Sequence, residues 1–236
     1  MKTNFDFINN DKKTVVLTTG LLWSIEKSKS ILPIIDFFNK KLYSIYAFDM
    51  YWHWKSEWNI EDFTLSKVYK QLYEIKRYLE QKWKTIDILY WNSASALPLI
   101  KFWIENKIEK IILRSPAIEM YAKRNRELWL EKMNEWKKNG KIALWKDYET
   151  WEDIYFKYKF ILDVLENFHC MNYDNWETKI FIWSWKNDLE VPYFELKVLS
   201  KKYKDIFLKL YKNEKHSFSE EWIKKFLEDI EEFLKH

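Results

Sequence analysis

The chain has 236 residues, enough for one domain with its own core, and no Pro/Ser-rich linker, low-complexity tract or internal repeat divides it. Its 40 basic and 36 acidic residues leave a net charge of +4, with the signs interspersed as in Glu105-Asn106-Lys107-Ile108-Glu109-Lys110; that pattern is a solvated surface and argues against a nucleic-acid partner. The single cysteine, Cys170, excludes an intramolecular disulfide framework. Met1–Asn10 lack a signal-peptide core, and no apolar run reaches transmembrane length, so a cytoplasmic protein without stable membrane insertion is expected.

Residues Lys2 to Asn9 alternate weakly, as a short edge strand does, and Thr14–Thr19 is a clearer strand, apolar and β-branched, closed by a turn at Gly20. Ser28–Lys41 carries Ile31, Ile34, Ile35 and Phe38 at helical spacing, with Pro33 near its start. Leu42–Phe48 reads as a strand and Asp49–Trp58 as a loop. Glu61–Gln81 reads as a long amphipathic helix, with Leu65, Val68, Tyr69, Leu72, Ile75 and Leu79 on one face. Ile86–Tyr90 is the next strand and Ala94–Phe102 the helix behind it; Ile111–Leu113 is a short buried strand.

Residues 118–175 break this rhythm. They are rich in Lys, Glu, Trp and Tyr, with helical pieces and a turn at Asn139-Gly140. Thr178–Ile182 resumes the strands, Val191–Tyr203 is a helix with Pro192 in its first turn, Ile206–Leu210 is the last strand, and Ser219–Lys235 is the last helix. Apolar strands separated by helices predict an α/β class: one domain over 1–236, with a mostly parallel central sheet covered by helices on both faces.

Glycine and tryptophan usage is anomalous. There are 15 Trp and 2 Gly, where about 7% glycine is usual, and the two counts together come to the glycine number an ordinary chain of this length carries. Trp91, the cluster Trp52, Trp54 and Trp58, and the pair Trp183 and Trp185 sit where glycine would have a physical task in a turn. Some bacteria read the codon UGA as glycine and others as tryptophan. A gene of the first kind translated by the rules of the second gives this pattern, and the dominance of lysine over Arg77, Arg114, Arg124 and Arg126 fits an AT-rich gene. An indole at position 91 is expected to wedge strand and helix apart, so the chain as written is expected to fold less well than a Trp→Gly version.

With those tryptophans read as glycine, the stretch from Ile86 to Pro98 has the layout of a nucleophile elbow, a strand, a sharp turn carrying a serine, and a helix. Asp49–Trp58 and Ile180–Asp188 take on matching patterns, and Gly20-Leu21-Leu22-Trp23 resembles the oxyanion loop, although Thr19 stands where histidine is usual. The chain therefore resembles the α/β-hydrolase superfamily, closest to its acyl-esterase, lysophospholipase-like and S33-type serine hydrolase members. That resemblance implies a small helical cap at 118–175, inserted after the sixth strand of the superfamily's pattern. It also implies a nucleophile, acid and base in that order along the chain.

Ser93 is the nucleophile, with Ser95 the rival within the turn and the better fit to the small-residue position after it. Asp188 is the acid, in a turn after the strand Thr178–Ile182, with Glu190 as understudy. His216, in Glu214-Lys215-His216-Ser217-Phe218 after the last strand, is the base; His53, His169 and His236 fall in the wrong places. The backbone N–H groups of Leu21 and Ala94 would form the oxyanion hole. No cofactor is expected and no metal spacing is visible; His169-Cys170 stands alone. The resemblance implies a small-molecule acyl substrate, a carboxylic ester first and a thioester or small peptide second. Two other readings compete. The literal sequence could be a Trp-rich aromatic module that stacks on sugars or single-stranded nucleic acid, or the fold could be kept without catalysis.

Overall fold

The computed structural model of the chain describes residues 5–10, 13–20, 24–26, 28–50, 59–93, 96–118, 126–146, 150–168, 179–188, 191, 193–212 and 220–236. Along these run β1 (Phe5–Ile8), β2 (Thr14–Thr18), α1 (Leu32–Lys40), β3 (Ser44–Phe48), a 3-10 turn (Ile60–Asp62), α2 (Leu65–Glu80), β4 (Ile88–Asn92) and α3 (Ala96–Asn106). Then follow β5 (Lys110–Arg114), α4 (Arg126–Asn139), β6 (Lys141–Lys146), β7 (Asp153–Lys157), α5 (Lys159–Asn167), β8 (Lys179–Trp185), α6 (Tyr193–Lys202), β9 (Ile206–Tyr211) and α7 (Glu220–Leu234).

Seven strands form one sheet in the order β1-β3-β2-β4-β5-β8-β9. Only the edge strand β1 is antiparallel; the other five pairings are parallel. Parallel strands linked by crossover helices are covered on both faces, which is why β2, β3, β4 and β5 are buried at every residue. Alternation splits their side chains between two cores. Val16, Leu89, Ile111 and Ile182 meet α2 and α3 on one face, whereas Val15, Leu17, Ile88, Ile112 and Phe181 meet Ile34 and Phe38 of α1 and Phe226, Ile230 and Phe233 of α7 on the other. Among the described residues no helix is long and apolar enough to cross a membrane.

The helix ends show what the scarcity of glycine does to the backbone. In α2, Lys84 N–H donates to the Leu79 carbonyl and Trp83 N–H to that of Glu80, the paired bonds of a Schellman cap, and Trp83 takes φ +58°. The same pair closes α1, with Leu42 at φ +62°, and α3, with Lys107 at φ +49°. Glycine normally holds this left-handed position because it has no Cβ to clash. Only α4 ends on one, Gly140 at φ +75°.

Residues 118–175 hold more than the expected helices. Between α4 and α5 lies a two-stranded antiparallel hairpin, β6 with β7, bulged between Ala143 and Trp145, and Trp151 in its turn takes φ +60°. The insertion packs into the α2/α3 core rather than standing apart. Phe156 and Phe160 meet Phe63 edge-on or tilted at 6.0 and 5.5 Å, and the buried Trp136 donates its indole N–H to the Phe156 carbonyl at 2.7 Å. Polar contacts fix the same seam. Asp163 of α5 accepts from Ser66 N–H at 2.9 Å and from the Ser66 hydroxyl, so a carboxylate of the insertion satisfies a free donor at the N-terminus of α2, where negative charge is favoured. Lys157 and Lys159 both reach Asp62, at 3.0 and 2.5 Å, and Lys141 reaches Glu61.

Two expectations follow. Trp83 is 97% and Trp151 73% exposed, so replacing either with glycine removes left-handed strain and little packing. Trp83→Gly and Trp151→Gly should each stabilise the fold by about 1 kcal/mol, seen as a rise of about 2–4 °C in the melting temperature. Second, hydrogen bonds from Lys159 and then Lys157 lower the Asp62 carboxyl to about 2. A depressed carboxyl contributes stability that is complete above its unfolded value near pH ~4 and is lost as pH falls through about 2. All three side chains are partly solvated, so the contribution is at most about 1 kcal/mol. Melting curves should show Asp62→Asn below wild type at pH 7, with the gap closing between about pH 4 and 2.

Candidate active site

The strand β4 ends at Asn92, and α3 begins at Ala96. Directly after the strand, Ser93 has φ +61°. A serine in this region is held there by its surroundings at a cost of about 1–3 kcal/mol. Neighbours on two sides bear on it. The Ser93 carbonyl accepts from Ala117 N–H at 3.2 Å, so the segment after β5 braces the turn. On the other side lies Gly20, at the carboxyl end of β2. A Cβ on Gly20 would sit 3.4 Å from Ser93 Cβ, 3.4 Å from the Asn92 carbonyl oxygen and 3.1 Å from Asn92 Nδ2. Gly20 therefore packs closely against the residues that open the serine turn, and a larger residue there would have to move the Asn92 carboxamide by a few tenths of an ångström.

Asp188 follows β8 by one short turn and is 4% exposed. Its carboxylate accepts from Val191 N–H at 2.9 Å, which fixes the turn that carries it. The register places the two ends together: Asn92 pairs with Arg114 across β4 and β5, and Arg114 with Trp183 across β5 and β8. Ser93 and Asp188 thus stand at the same carboxyl edge of the sheet, one strand apart. His236 is at the opposite edge, stacked at 5.9 Å on Phe207 near the start of β9. His216, Leu21, Ala94, Ser95, Glu190, His53, His169 and Cys170 lie outside the described residues.

Trp91 lies within β4, whose pairing with β5 runs unbroken through Trp91 and Leu113, and the indole is buried on the α2/α3 face, edge-on to Phe48 at 5.8 Å. Its buried Nε1–H meets no acceptor among the described residues, a penalty of about 1–3 kcal/mol.

Beneath the turn lies a residue to which the sequence reading gave no role. Arg114 ends β5, is 5% exposed, and donates Nε–H to Asn92 Oδ1 at 2.8 Å. Burial pulls its guanidinium below the ordinary value, while the nearby Tyr90 and Asp188 support its charge. Burial pushes the Tyr90 hydroxyl up to about 12, against the pull of Arg114. The signal available in the sequence was an arginine directly after the apolar run Ile111-Ile112-Leu113.

No family model and no curated protein matches the chain. Solved structures do. Alpha/beta hydrolase domain-containing protein 10 from mouse superposes with a TM-score of 0.81 at 17% identity, over 98% of this chain and 93% of that one. A monoacylglycerol lipase of Paleococcus ferrophilus gives 0.78 at 19% identity, over 99% and 98%. Est1E from Butyrivibrio proteoclasticus with ferulic acid bound gives 0.71 at 18% identity, over 99% and 93%. The chain has the α/β-hydrolase fold, with the mostly parallel sheet and two helical faces expected.

Strain at the serine turn is measurable without any substrate. Ser93→Gly is expected to raise the melting temperature by about 2–4 °C, because glycine takes φ +61° freely. An unchanged or lower midpoint would show that the turn stores no strain.

Proposed function

We propose that the chain is a serine hydrolase that cleaves a small carboxylic ester through an acyl-enzyme. The observation that carries this reading is Ser93 at φ +61° on a strand-to-helix turn, with the Gly20 backbone packed against it. A hydroxyl at such a turn projects from the sheet edge toward a substrate, and the adjoining loop is where oxyanion donors are needed. The buried Asp188 one strand away supports the same reading.

In this mechanism Ser93 Oγ attacks the ester carbonyl while His216 takes its proton. Asp188 orients the imidazole and stabilises its cation. The oxygen of the tetrahedral intermediate gathers charge between the backbone N–H groups of Leu21 and Ala94, each worth roughly 3 kcal/mol. His216 then returns the proton to the departing alcohol, and water, activated by the same histidine, releases the acid. A thioester or a short peptide could enter the same cycle. The residues used are the chain's own, so no cofactor or metal is required.

The aromatic-module reading draws less support. Among the described residues, Trp91, Trp103, Trp136, Trp183 and Trp185 are buried, and the exposed Trp83 and Trp151 belong to separate elements, a helix end and a hairpin turn.

Hydrolysis of p-nitrophenyl esters and labelling by a fluorophosphonate test the proposal. Wild type should turn over and label. Ser93→Ala should lose both, with kcat down on the order of 10⁶, and Asp188→Asn should lose about 10⁴. Hydrolysis that survives Ser93→Ala unchanged would remove the site assignment.

A further inference from the structure

A buried arginine needs a reason. Leucine or valine at position 114 would continue the apolar run Ile111, Ile112, Leu113, whereas a guanidinium at 5% exposure loses most of its hydration. What Arg114 touches is not a surface partner but the frame of the site. Its Nε–H holds Asn92 Oδ1 at 2.8 Å, and Asn92 is the residue immediately before Ser93. With Oδ1 committed to Arg114, the carboxamide turns its Nδ2 toward the loop after β2, 3.1 Å from where a Gly20 Cβ would be. The titratable groups that face the guanidinium among the described residues are Tyr90 of β4 and Asp188 after β8. One buried polar row therefore runs along the carboxyl edge of four adjacent strands, from the Gly20 loop through Asn92 and Arg114 to Asp188.

We infer that Arg114 is a positioning residue of the hydrolase site: through Asn92 it sets the seating of the Ser93 turn against the Gly20 loop. The inference rests on the serine-hydrolase reading above. The action needs the directed Nε–H bond to Asn92 Oδ1, which the planar guanidinium supplies and an ammonium on a lysine stem does not.

The test is steady-state hydrolysis of p-nitrophenyl acetate by wild type, Arg114→Lys, Arg114→Met, Asn92→Ser and Ser93→Ala, each checked by its melting curve. Arg114→Lys, Arg114→Met and Asn92→Ser should each lower kcat about tenfold with KM little changed. Misplacement of the reacting serine acts on the transition state more than on ground-state binding. A folded Arg114→Met with kcat within about twofold of wild type overturns the inference. If Arg114→Met does not fold, Arg114→Lys and Asn92→Ser decide, and wild-type kcat in both overturns it. Hydrolysis retained by Ser93→Ala overturns the underlying reading itself, whereas an inactive Ser93→Ala beside indifferent Arg114 variants overturns only the role of Arg114.

Discussion

Gly20 and the turn at Ser93 are separated in the chain by α1, β3 and α2, yet they pack so closely that a methyl on Gly20 would press on the Asn92 carboxamide at 3.1 Å and touch Ser93 Cβ and the Asn92 carbonyl at 3.4 Å. This close approach is possible because β2 and β4 are hydrogen-bonded neighbours at the centre of the sheet, with Val15 to Leu17 paired to Ile88 to Tyr90. Once both strands end at the same height, the loop after one must lie on the turn after the other. The positive φ of Ser93 is part of the same constraint, since it takes the chain off the strand and into α3 within three residues. The strain is local, and the buried strands on either side, which have few alternative packings, oppose its relaxation.

Arg114 and Asn92 belong to this frame as the polar layer beneath it. Above them the sheet edge carries the Ser93 turn; below them the strand side chains are mostly apolar. A buried guanidinium is weak evidence for stability, because desolvation offsets most of the attraction it gains. Its value here is directional. A single donor at 2.8 Å fixes which way the Asn92 carboxamide points, and through it the spacing of two loops.

The order of strands and helices was legible because period and punctuation agreed. The short runs Thr14–Thr19 and Ile111–Leu113, built around apolar and β-branched residues, proved to lie in parallel strands buried on both faces, and the stripe Leu65, Val68, Leu72, Ile75 and Leu79 proved to be the buried face of α2. Boundaries moved where a cap or an edge decided them. The second helix starts at Leu65 rather than Glu61 because the Thr64 side chain accepts from Lys67 N–H, and the preceding residues close a 3-10 turn capped by Asn59. The elbow strand runs two residues further than Tyr90, to Asn92, because pairing with β5 carries it there. The hairpin of β6 and β7 escaped because its alternation is diluted by lysines and a bulge, and isolated hairpins carry little signal. That Ser93 and Asp188 follow strands was readable from the order of elements. That Arg114 sits beside Asn92 was not, since it depends on register between strands, which no local pattern encodes.

The edge that carries Ser93 is assembled from distant parts of the chain, and this has a consequence for the order in which it forms. Gly20, Ser93 and Asp188 follow β2, β4 and β8, and β8 enters the sheet only after α4, β6, β7 and α5 have been made. During synthesis the first half can pair β2, β3, β4 and β5 and seat the serine turn, but β5, which Arg114 ends, is then an edge strand. The docking of β8 on β5 closes that edge and brings Asp188 to the same side of the sheet as Ser93, and β9 then pairs with β8. A chain truncated before β8 would therefore carry the Ser93 turn without Asp188 beside it.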